Sequence, residues 1–252
     1  MIFLVNETES VVGFYDKTAK KFSETVFDYL HKEQFDEFLE FMPKNAKILD
    51  IGCGPAHPTK YLKENGFSVE GIDLSKELIK IAKQKVPEVT FKLMDLRKLD
   101  YSAENFDGLF ACYSLIHIPE KEVLQTLIEF NRVLKLNGFL FLAIQEGKGE
   151  GFVESSMHEK EKVFIKYFSE EEIKNFLEEA GFEVVKISKT PAKHEWEHKS
   201  DKLFVIARKV QGFWCSGFKS FFVLKDYIEW FIFDGGIIWK WKIWNQVKEK
   251  LT

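Results

Sequence analysis

Apolar side chains in the first 42 residues recur at the three- and four-residue spacing of a helix face. The positions are Phe22, Val26, Leu30, Phe35, Phe38 and Leu39. The spacing predicts an N-terminal helical segment within residues 1–42 that is broken near His31. Pro43 and Asn45 then interrupt the helical pattern.

Short apolar runs and amphipathic stretches alternate over the next hundred residues. The predicted strands are residues 47–51, 69–72, 89–93, 106–112 and 139–144. The predicted helices are residues 58–65, 75–84 and 119–135, the last with a proline in its first turn. Alternation of this kind predicts a parallel sheet that is covered by helices on both faces.

The pattern changes after residue 168. Ser169 and Glu172 form a capping-box signature for a helix that ends before Gly181. Two strands, residues 182–188 and 203–209, then follow each other without a helix between them, so we expect them to pair as an antiparallel hairpin with a long loop. The predicted fold is therefore a doubly wound, mostly parallel seven-stranded α/β sheet with an antiparallel last strand.

Residues 210–252 form an extension of different composition, with five of the six tryptophans and 12 aromatic residues among 43. Asp234 and Gly235 read as a hairpin turn that would place Trp230 opposite Trp239. The same register would pair Ile228 with Trp241 and Glu229 with Lys240. An amphipathic helix or a poorly ordered tail is the alternative. We expect the extension to pack against the preceding α/β domain or to hold a homodimer together, since exposed aromatic residues at this density favour aggregation.

Three parts are therefore predicted: a helical segment (residues 1–42), a catalytic domain (43–209) and the aromatic extension (210–252). The 36 basic and 40 acidic residues are interspersed and give a net charge of −4, so we expect no nucleic-acid partner. Cys53, Cys112 and Cys215 have no metal-ligand or disulfide spacing and indicate reduced thiols. With no membrane span, no export signal and no metal cluster in the pattern, the predicted location is the cytoplasm.

Gly52 and Gly54 directly follow the first predicted strand, and Asp73 ends the second. A nucleoside lying across the carboxyl ends of the strands needs a close backbone approach, which glycine permits, and an acid at the second strand can accept both ribose hydroxyls. A dinucleotide fingerprint read from Gly52 requires glycine where His57 stands. Ordinary turn glycines and a helix-capping Asp73 are the structural alternatives.

Five segments resemble, in order, the successive motifs of class I, S-adenosylmethionine-dependent methyltransferases, a family with a Rossmann-like fold. The segments are ILDIGCGPAHPT, GIDLS, LMDLRKLDY, FDGLFACYSLIHIP and RVLKLNGFLFLAI, and the similarity runs from about Phe14 to Lys209. The one departure is Ala56, where the family pattern usually has a third glycine.

The resemblance implies S-adenosyl-L-methionine as the cofactor and assigns residues to it. Asp50, Gly52 and Gly54 would surround its methionine part and ribose, and Asp73 would bind the ribose hydroxyls. Leu74 would lie against the adenine.

Three further assignments also come from the resemblance. Asp95 would accept from the adenine amino group, with backbone contacts from Leu96. Tyr113 would line the face where the methyl group is transferred.

Acid–base chemistry is needed only if the acceptor must lose a proton, because the sulfonium is already activated and the displacement depends mainly on positioning. His117, His57 and Tyr15 are the candidates. His117 could equally be a structural histidine under a helix start, and His57 could merely orient backbone. Tyr15 resembles a position that covers the cofactor in relatives. The alternative is that it has only a packing role.

The predicted function is methyl transfer to a small-molecule acceptor, since the glycine-rich loop of residues 145–151, where such enzymes often build the acceptor site, is short. A nicotinamide-dependent oxidoreductase is a second hypothesis, disfavoured by His57 and by the antiparallel strand pair. A third is an interaction module that keeps the cofactor-binding scaffold. The sequence leaves the acceptor and the methylated atom type open.

Overall fold

The computed structural model describes residues 6–155, 161–194 and 198–211, and the backbone of residues 230–233 and 236–239. The chain divides into two compact units between Ser216 and Gly217, close to the boundary expected after residue 209.

The first unit contains six helices within its described residues. They are α1 (Glu7–Val26), α2 (Lys32–Leu39), α3 (His57–Glu64), α4 (Lys76–Lys85), α5 (Glu120–Val133) and α6 (Glu170–Glu179). A 3-10 turn spans Leu115–His117.

The strands described in that unit number nine. They are β1 (Lys47–Ile51), β2 (Ser68–Asp73), β3 (Thr90–Leu93), β4 (Phe106–Cys112), β5 (Leu134–Gln145), β6 (Glu150–Glu154), β7 (Lys162–Lys166), β8 (Phe182–Thr190) and β9 (Lys202–Lys209).

Seven of these strands form one sheet in the order β3-β2-β1-β4-β5-β9-β8. The first five run parallel, and β9 is antiparallel to both β5 and β8. The predicted α/β class, the seven-stranded sheet and the antiparallel pair are therefore confirmed. β9 comes last in the unit but inserts between β5 and β8, an order that the pattern of elements alone did not give.

Alternate residues of the central strands feed two cores on opposite faces of the sheet, as a parallel sheet covered on both sides requires. On β4, Leu109 joins the core beneath α5 and α6. Phe110 joins the other core, where α2 contributes Phe35 and Phe38. The Phe110 ring stacks on Phe141 of β5 with centroids 4.4 Å apart, which ties the centre of the sheet together.

The helical N-terminal segment is present, and its break between Val26 and Lys32 includes His31 as predicted. The first helix begins at Glu7, fifteen residues before Phe22, the first apolar position of the helical spacing. The reason is a local cap, because the Asn6 side chain accepts a hydrogen bond of 3.1 Å from the Thr8 amide. α1 packs against α4 and β7.

The loop expected at residues 145–151 ends earlier than predicted, because Glu150 and Gly151 belong to β6, which pairs with β7 as an antiparallel hairpin. Glycines at 147, 149 and 151 suggested irregular structure, yet only the first two have positive φ. The Glu150 carboxylate accepts from the Glu120 amide at 2.7 Å and so fixes the hairpin to the start of α5.

In the second unit, β10 (Trp230–Phe233) and β11 (Gly236–Trp239) pair antiparallel with Trp230 opposite Trp239, the register given by the sequence. The turn residues Asp234 and Gly235, and the outer pairs 228/241 and 229/240, lie outside the described residues. Across the described chain, no helix has the length and apolar character needed to cross a membrane.

Candidate active site

A cavity of about 250 Å³ opens at the carboxyl ends of the parallel strands. Its floor consists of the segments that follow β1, β2, β3 and β4, and its cover is formed by α1 and the β6–β7 hairpin. In open α/β sheets this edge is the usual ligand position. The residues that the motifs bring together therefore line a common cavity, which is partly open.

The segment after β1 is a left-handed turn that presents backbone to the cavity. Gly52, Gly54 and Ala56 have φ of +70°, +54° and +70°. A Cβ on Gly52 would lie 2.4 Å from the Ser114 Cβ, so this position requires glycine. A Cβ on Gly54 would meet only Phe22, at 3.7 Å, and Phe22 also lines the cavity. An added Cβ at Gly54 would therefore make an ordinary contact and would not clash.

Asp73, at the end of β2, joins this turn to the next helix. Its Oδ2 accepts from the Gly54 amide at 2.9 Å, and its Oδ1 accepts from the Ser75 amide at 2.8 Å. Burial raises the pKa of Asp73, although these backbone donors oppose the shift. Each carboxylate oxygen keeps a second lone pair for a donor from the cavity.

Asp50 does not line the cavity. Its side chain lies beneath the turn, where Oδ2 accepts from the Thr59 hydroxyl at 2.5 Å. Burial raises the pKa of Asp50 to about 7 against the effect of that hydrogen bond. The residue supports the cofactor turn from below, whereas the resemblance placed it in the loop around the ligand.

Asp95 lines the cavity together with Leu74 and Leu96, but its carboxylate is already engaged. Arg97 holds it at two points, with Nε 3.0 Å from Oδ1 and Nη2 2.6 Å from Oδ2. Burial alone would raise the pKa of Asp95, but the hydrogen bonds from Arg97 lower it. Any contact with an adenine amino group would share an oxygen with this ion pair.

Tyr15 and His117 meet on the wall of the cavity. The His117 Nδ1 lies 2.8 Å from the Phe164 carbonyl oxygen, so this nitrogen carries the proton. Its Nε2 then accepts from the Tyr15 hydroxyl at 2.9 Å. Burial lowers the pKa of His117 to about 4, so the ring is neutral near pH 7. Burial also raises the pKa of Tyr15 above its ordinary value.

Tyr113 and His57 also line the cavity. Tyr113 has a left-handed backbone with φ +57°, and its hydroxyl is 2.8 Å from the His31 Nε2. A non-glycine residue in this conformation is strained, and such strain is often stored at functional sites. His57 is the first residue of α3, and its Nδ1 is buried without a partner among the described residues.

Sequence reasoning missed several lining residues. They are His31, Val153, Val163, His198 and Lys202. His31 marks the helix break that the apolar spacing indicated, which was the one available signal. The others lie on or beside strands whose placement depends on the tertiary fold.

The fold and the site define an α/β enzyme class that binds a nucleoside at the carboxyl edge of its sheet. A family model for a methyltransferase domain matches residues 48–138. The match to that domain family and the similarity to methyltransferases in sequence and fold support a class I, S-adenosylmethionine-dependent methyltransferase.

Two sequence relatives are named as methyltransferases. Methyltransferase GfsG from Streptomyces halstedii is 33% identical over 118 residues, which cover 44% of this chain and 41% of that protein. The 2-methyl-6-phytyl-1,4-hydroquinone methyltransferase of Synechocystis is 32% identical over 129 residues, 50% of this chain and 40% of that protein. The chain thus spans less than half the length of these relatives.

A solved structure shows the shared fold over a longer range. The Burkholderia thailandensis 1,6-didemethyltoxoflavin-N1-methyltransferase, with bound 1,6-didemethyltoxoflavin and S-adenosylhomocysteine, superposes with a TM-score of 0.67. It is 20% identical, and the match covers 84% of this chain and 93% of that one.

S-adenosylmethionine, the cofactor of the family, is compatible with the residues present at the cavity. The turn at Gly52–Gly54 lets a ligand approach the backbone, and Asp73 keeps acceptor capacity for ribose hydroxyls. The Ser114 hydroxyl is a further buried polar atom of the lining without a partner in the described part of the chain. Unpaired buried polar atoms are costly and are commonly satisfied by a ligand or water.

Proposed function

We propose that the chain transfers a methyl group from S-adenosylmethionine to a small-molecule acceptor. One observation carries the proposal: a single cavity joins the open turn at Gly54 and the carboxylate of Asp73 to a wall of ring side chains. When bound, the cofactor supplies a methyl group that is already activated by its sulfonium.

The residues of this chain would then bind and orient. Gly52 and Gly54 would offer backbone to the methionine part and ribose, and Asp73 would accept from the ribose hydroxyls. Leu74 and Leu96 would flank the adenine. Asp95, held by Arg97, would contribute one shared oxygen to the adenine amino group.

Tyr15 and His117 would position the reacting groups. The neutral His117 accepts the Tyr15 proton in a hydrogen bond, so its Nε2 is not free to take a proton from an acceptor. This argues for a positioning role for His117 in place of general-base catalysis. A displacement at an activated methyl depends mainly on in-line geometry, so a fixed Tyr15 hydroxyl would help to hold the acceptor in place.

The acceptor is proposed to be small. A cavity of about 250 Å³ is near the lower end for small-molecule sites, and α1 and the β6–β7 hairpin cover it. The hydroquinone in the name of the relative from Synechocystis is likewise a small molecule and not a macromolecule. We further propose a cytoplasmic location, which the free thiols of Cys53 and Cys112 support.

Calorimetric titration with S-adenosylmethionine, S-adenosylhomocysteine and NAD tests the proposal. The wild type should bind the first two and not NAD. Asp73→Ala should weaken their binding by well over tenfold, because charge-assisted hydrogen bonds contribute about 1.5–3 kcal/mol each. Glu178→Ala, which removes an exposed carboxylate, is the matched control.

Tight NAD binding would favour the oxidoreductase, and undiminished binding by Asp73→Ala would contradict the site. Cofactor binding without methyl transfer to any of a panel of small acceptors would favour the interaction module.

A further inference from the structure

Aromatic rings border one part of the cavity. Tyr29, His31, Phe35 and Tyr113, called here the ring cluster, all line it. The His31 ring centroid lies 5.0 Å from that of Tyr29, 5.7 Å from Tyr113 and 6.3 Å from Phe35. Ring pairs at these distances favour edge-on and tilted contacts. Phe35 is buried behind the others, and the partly exposed rings of Tyr29, His31 and Tyr113 are available to pack against another flat ring.

His57 adds a polar atom to this apolar region. It lines the same cavity and interacts electrostatically with His31 of the ring cluster. Its Nδ1 is buried, and no partner for it exists among residues 6–155, 161–194 and 198–211. A buried nitrogen without a partner costs free energy that a ligand group can recover.

The charge state of His57 limits what it can recognise. Burial lowers its pKa to about 3, and the start of α3 also disfavours a positive charge. A neutral imidazole has one N–H donor and one acceptor lone pair, which suit a hydroxyl group better than a carboxylate or an ammonium. The acids that line the described cavity are Asp73, Asp95 and Glu154; the first two line the cofactor segments and Glu154 is exposed on β6.

We propose that His57 recognises the hydroxyl group of a planar, hydroxylated aromatic acceptor whose ring packs against the ring cluster. The inference rests on the proposed function and deepens it by naming the acceptor class. His57 is then a residue that determines specificity, and the cofactor turn that precedes it holds it in place.

The test uses 2-naphthol as the probe and 2-methoxynaphthalene as its matched ether, which cannot donate a hydrogen bond. Binding of both is measured by calorimetry on the full chain, with and without saturating S-adenosylhomocysteine. The wild type should bind 2-naphthol about tenfold more tightly than the ether, as expected for one hydrogen bond to a buried group.

Two variants at position 57 separate the hydrogen bond from packing. His57→Phe keeps a ring but has no hydrogen-bond acceptor, so this variant should bind 2-naphthol and the ether about equally. His57→Asn places an amide near the Nδ1 position and should restore most of the preference. Tyr101→Phe is the control, because it removes the hydroxyl that donates to Glu70 from a ring that does not line the cavity, and the preference should stay at the wild-type value.

The inference is overturned if neither probe binds, if the wild type shows no preference, or if His57→Phe keeps it. Loss of S-adenosylhomocysteine binding would instead count against the proposed function, and the measurements without that ligand would still decide the role of His57.

Discussion

The hydroxyl of Tyr15 donates a hydrogen bond of 2.9 Å to the Nε2 of His117, whose other ring nitrogen donates to the Phe164 carbonyl. The histidine therefore links α1, which covers the cavity, to the segment after β4 and to β7. This chain of contacts fixes the Tyr15 side chain at the cavity wall.

We expect Tyr15→Phe and His117→Phe to lower kcat by about tenfold each through lost positioning. The double variant should be no slower than either single variant, because both remove the same hydrogen bond. S-adenosylmethionine affinity of His117→Phe should stay at the wild-type value, and KM and kcat measured separately check this.

The pH profile distinguishes positioning from general-base catalysis. With a pKa near 4, His117 stays neutral from pH 8 down to about pH 5. Turnover of the wild type should therefore show no acid limb from His117 near pH 6.5. A limb there that disappears in His117→Phe would restore the general-base hypothesis.

The two glycines of the cofactor turn should respond differently to alanine. Gly52→Ala brings its Cβ within 2.4 Å of Ser114 and should lower the free energy of unfolding by about 2 kcal/mol or more. Gly54→Ala avoids that clash and should cost about 1 kcal/mol from its positive φ. It should nevertheless weaken S-adenosylmethionine binding, and Gly54→Val should weaken it further.

Gly66→Ala supplies the control for this pair. Gly66 has φ +88° and no atom within 4 Å of an added Cβ, and it is exposed at the end of α3. Thermal unfolding should show a similar loss for positions 54 and 66, while titration shows an affinity loss at position 54 only. Equal cofactor affinity for the two variants would indicate that the ligand does not lie against the turn.

Asp50 should make the stability of the protein depend on pH. Its folded-state pKa of about 7 lies above the ordinary aspartate value, so the folded chain holds a proton that the unfolded chain has released. The free energy of unfolding of the wild type should therefore fall relative to Asp50→Asn as pH rises from about 4 to about 7. The change should be of the order of 3 kcal/mol.

Denaturant unfolding at several pH values measures this difference, and the contributions of His57 and His117 cancel because both proteins contain them. An offset between the two proteins that stays constant across the range would show that Asp50 is ionised in the folded state.

The aromatic extension gives a prediction about assembly. We expect residues 212–252 to hold a homodimer together, because their aromatic density is too high for an exposed segment. A chain ending at Gln211 keeps the hydrogen bond of the Val210 amide to Gly181 and should elute as a monomer. Light scattering gives the mass, and an unchanged mass and melting temperature would contradict the idea.

The sequence predicted the sheet well because its strands are strongly apolar and sharply bounded. β1 and β4 match their predicted bounds, and the capping box of Ser169 and Glu172 forms as expected. The sequence did not predict the β6–β7 hairpin. The alternation of exposed and half-buried positions in β6 is weak, and Gly147, Gly149 and Gly151 indicated a loop. Its strands pair residues that lie 8 to 16 positions apart in the chain, and no local pattern reveals that pairing.

The order of elements located Gly52, Gly54 and Asp73 at the cavity, because each occupies a fixed place after a strand. Their contacts with the cofactor stay a prediction. Asp50 shows the limit of such reasoning, because which way a side chain faces at the end of a strand depends on α3 and Thr59. His31 meets Tyr113 across 82 positions of the chain, a distance over which sequence spacing carries no information.

The cover of the cavity and the connections after the parallel strands can change independently during evolution. The cofactor segments belong to the connections after the first four strands, while α1 and the β6–β7 hairpin are peripheral additions to the sheet. Substitutions at Val12 or Val153 would therefore change the lining of the cavity, and with it the proposed acceptor site, while the turn at Gly52 and Gly54 stays intact. Descendants of one ancestral gene can in this way acquire new acceptors and inherit the same methyl donor.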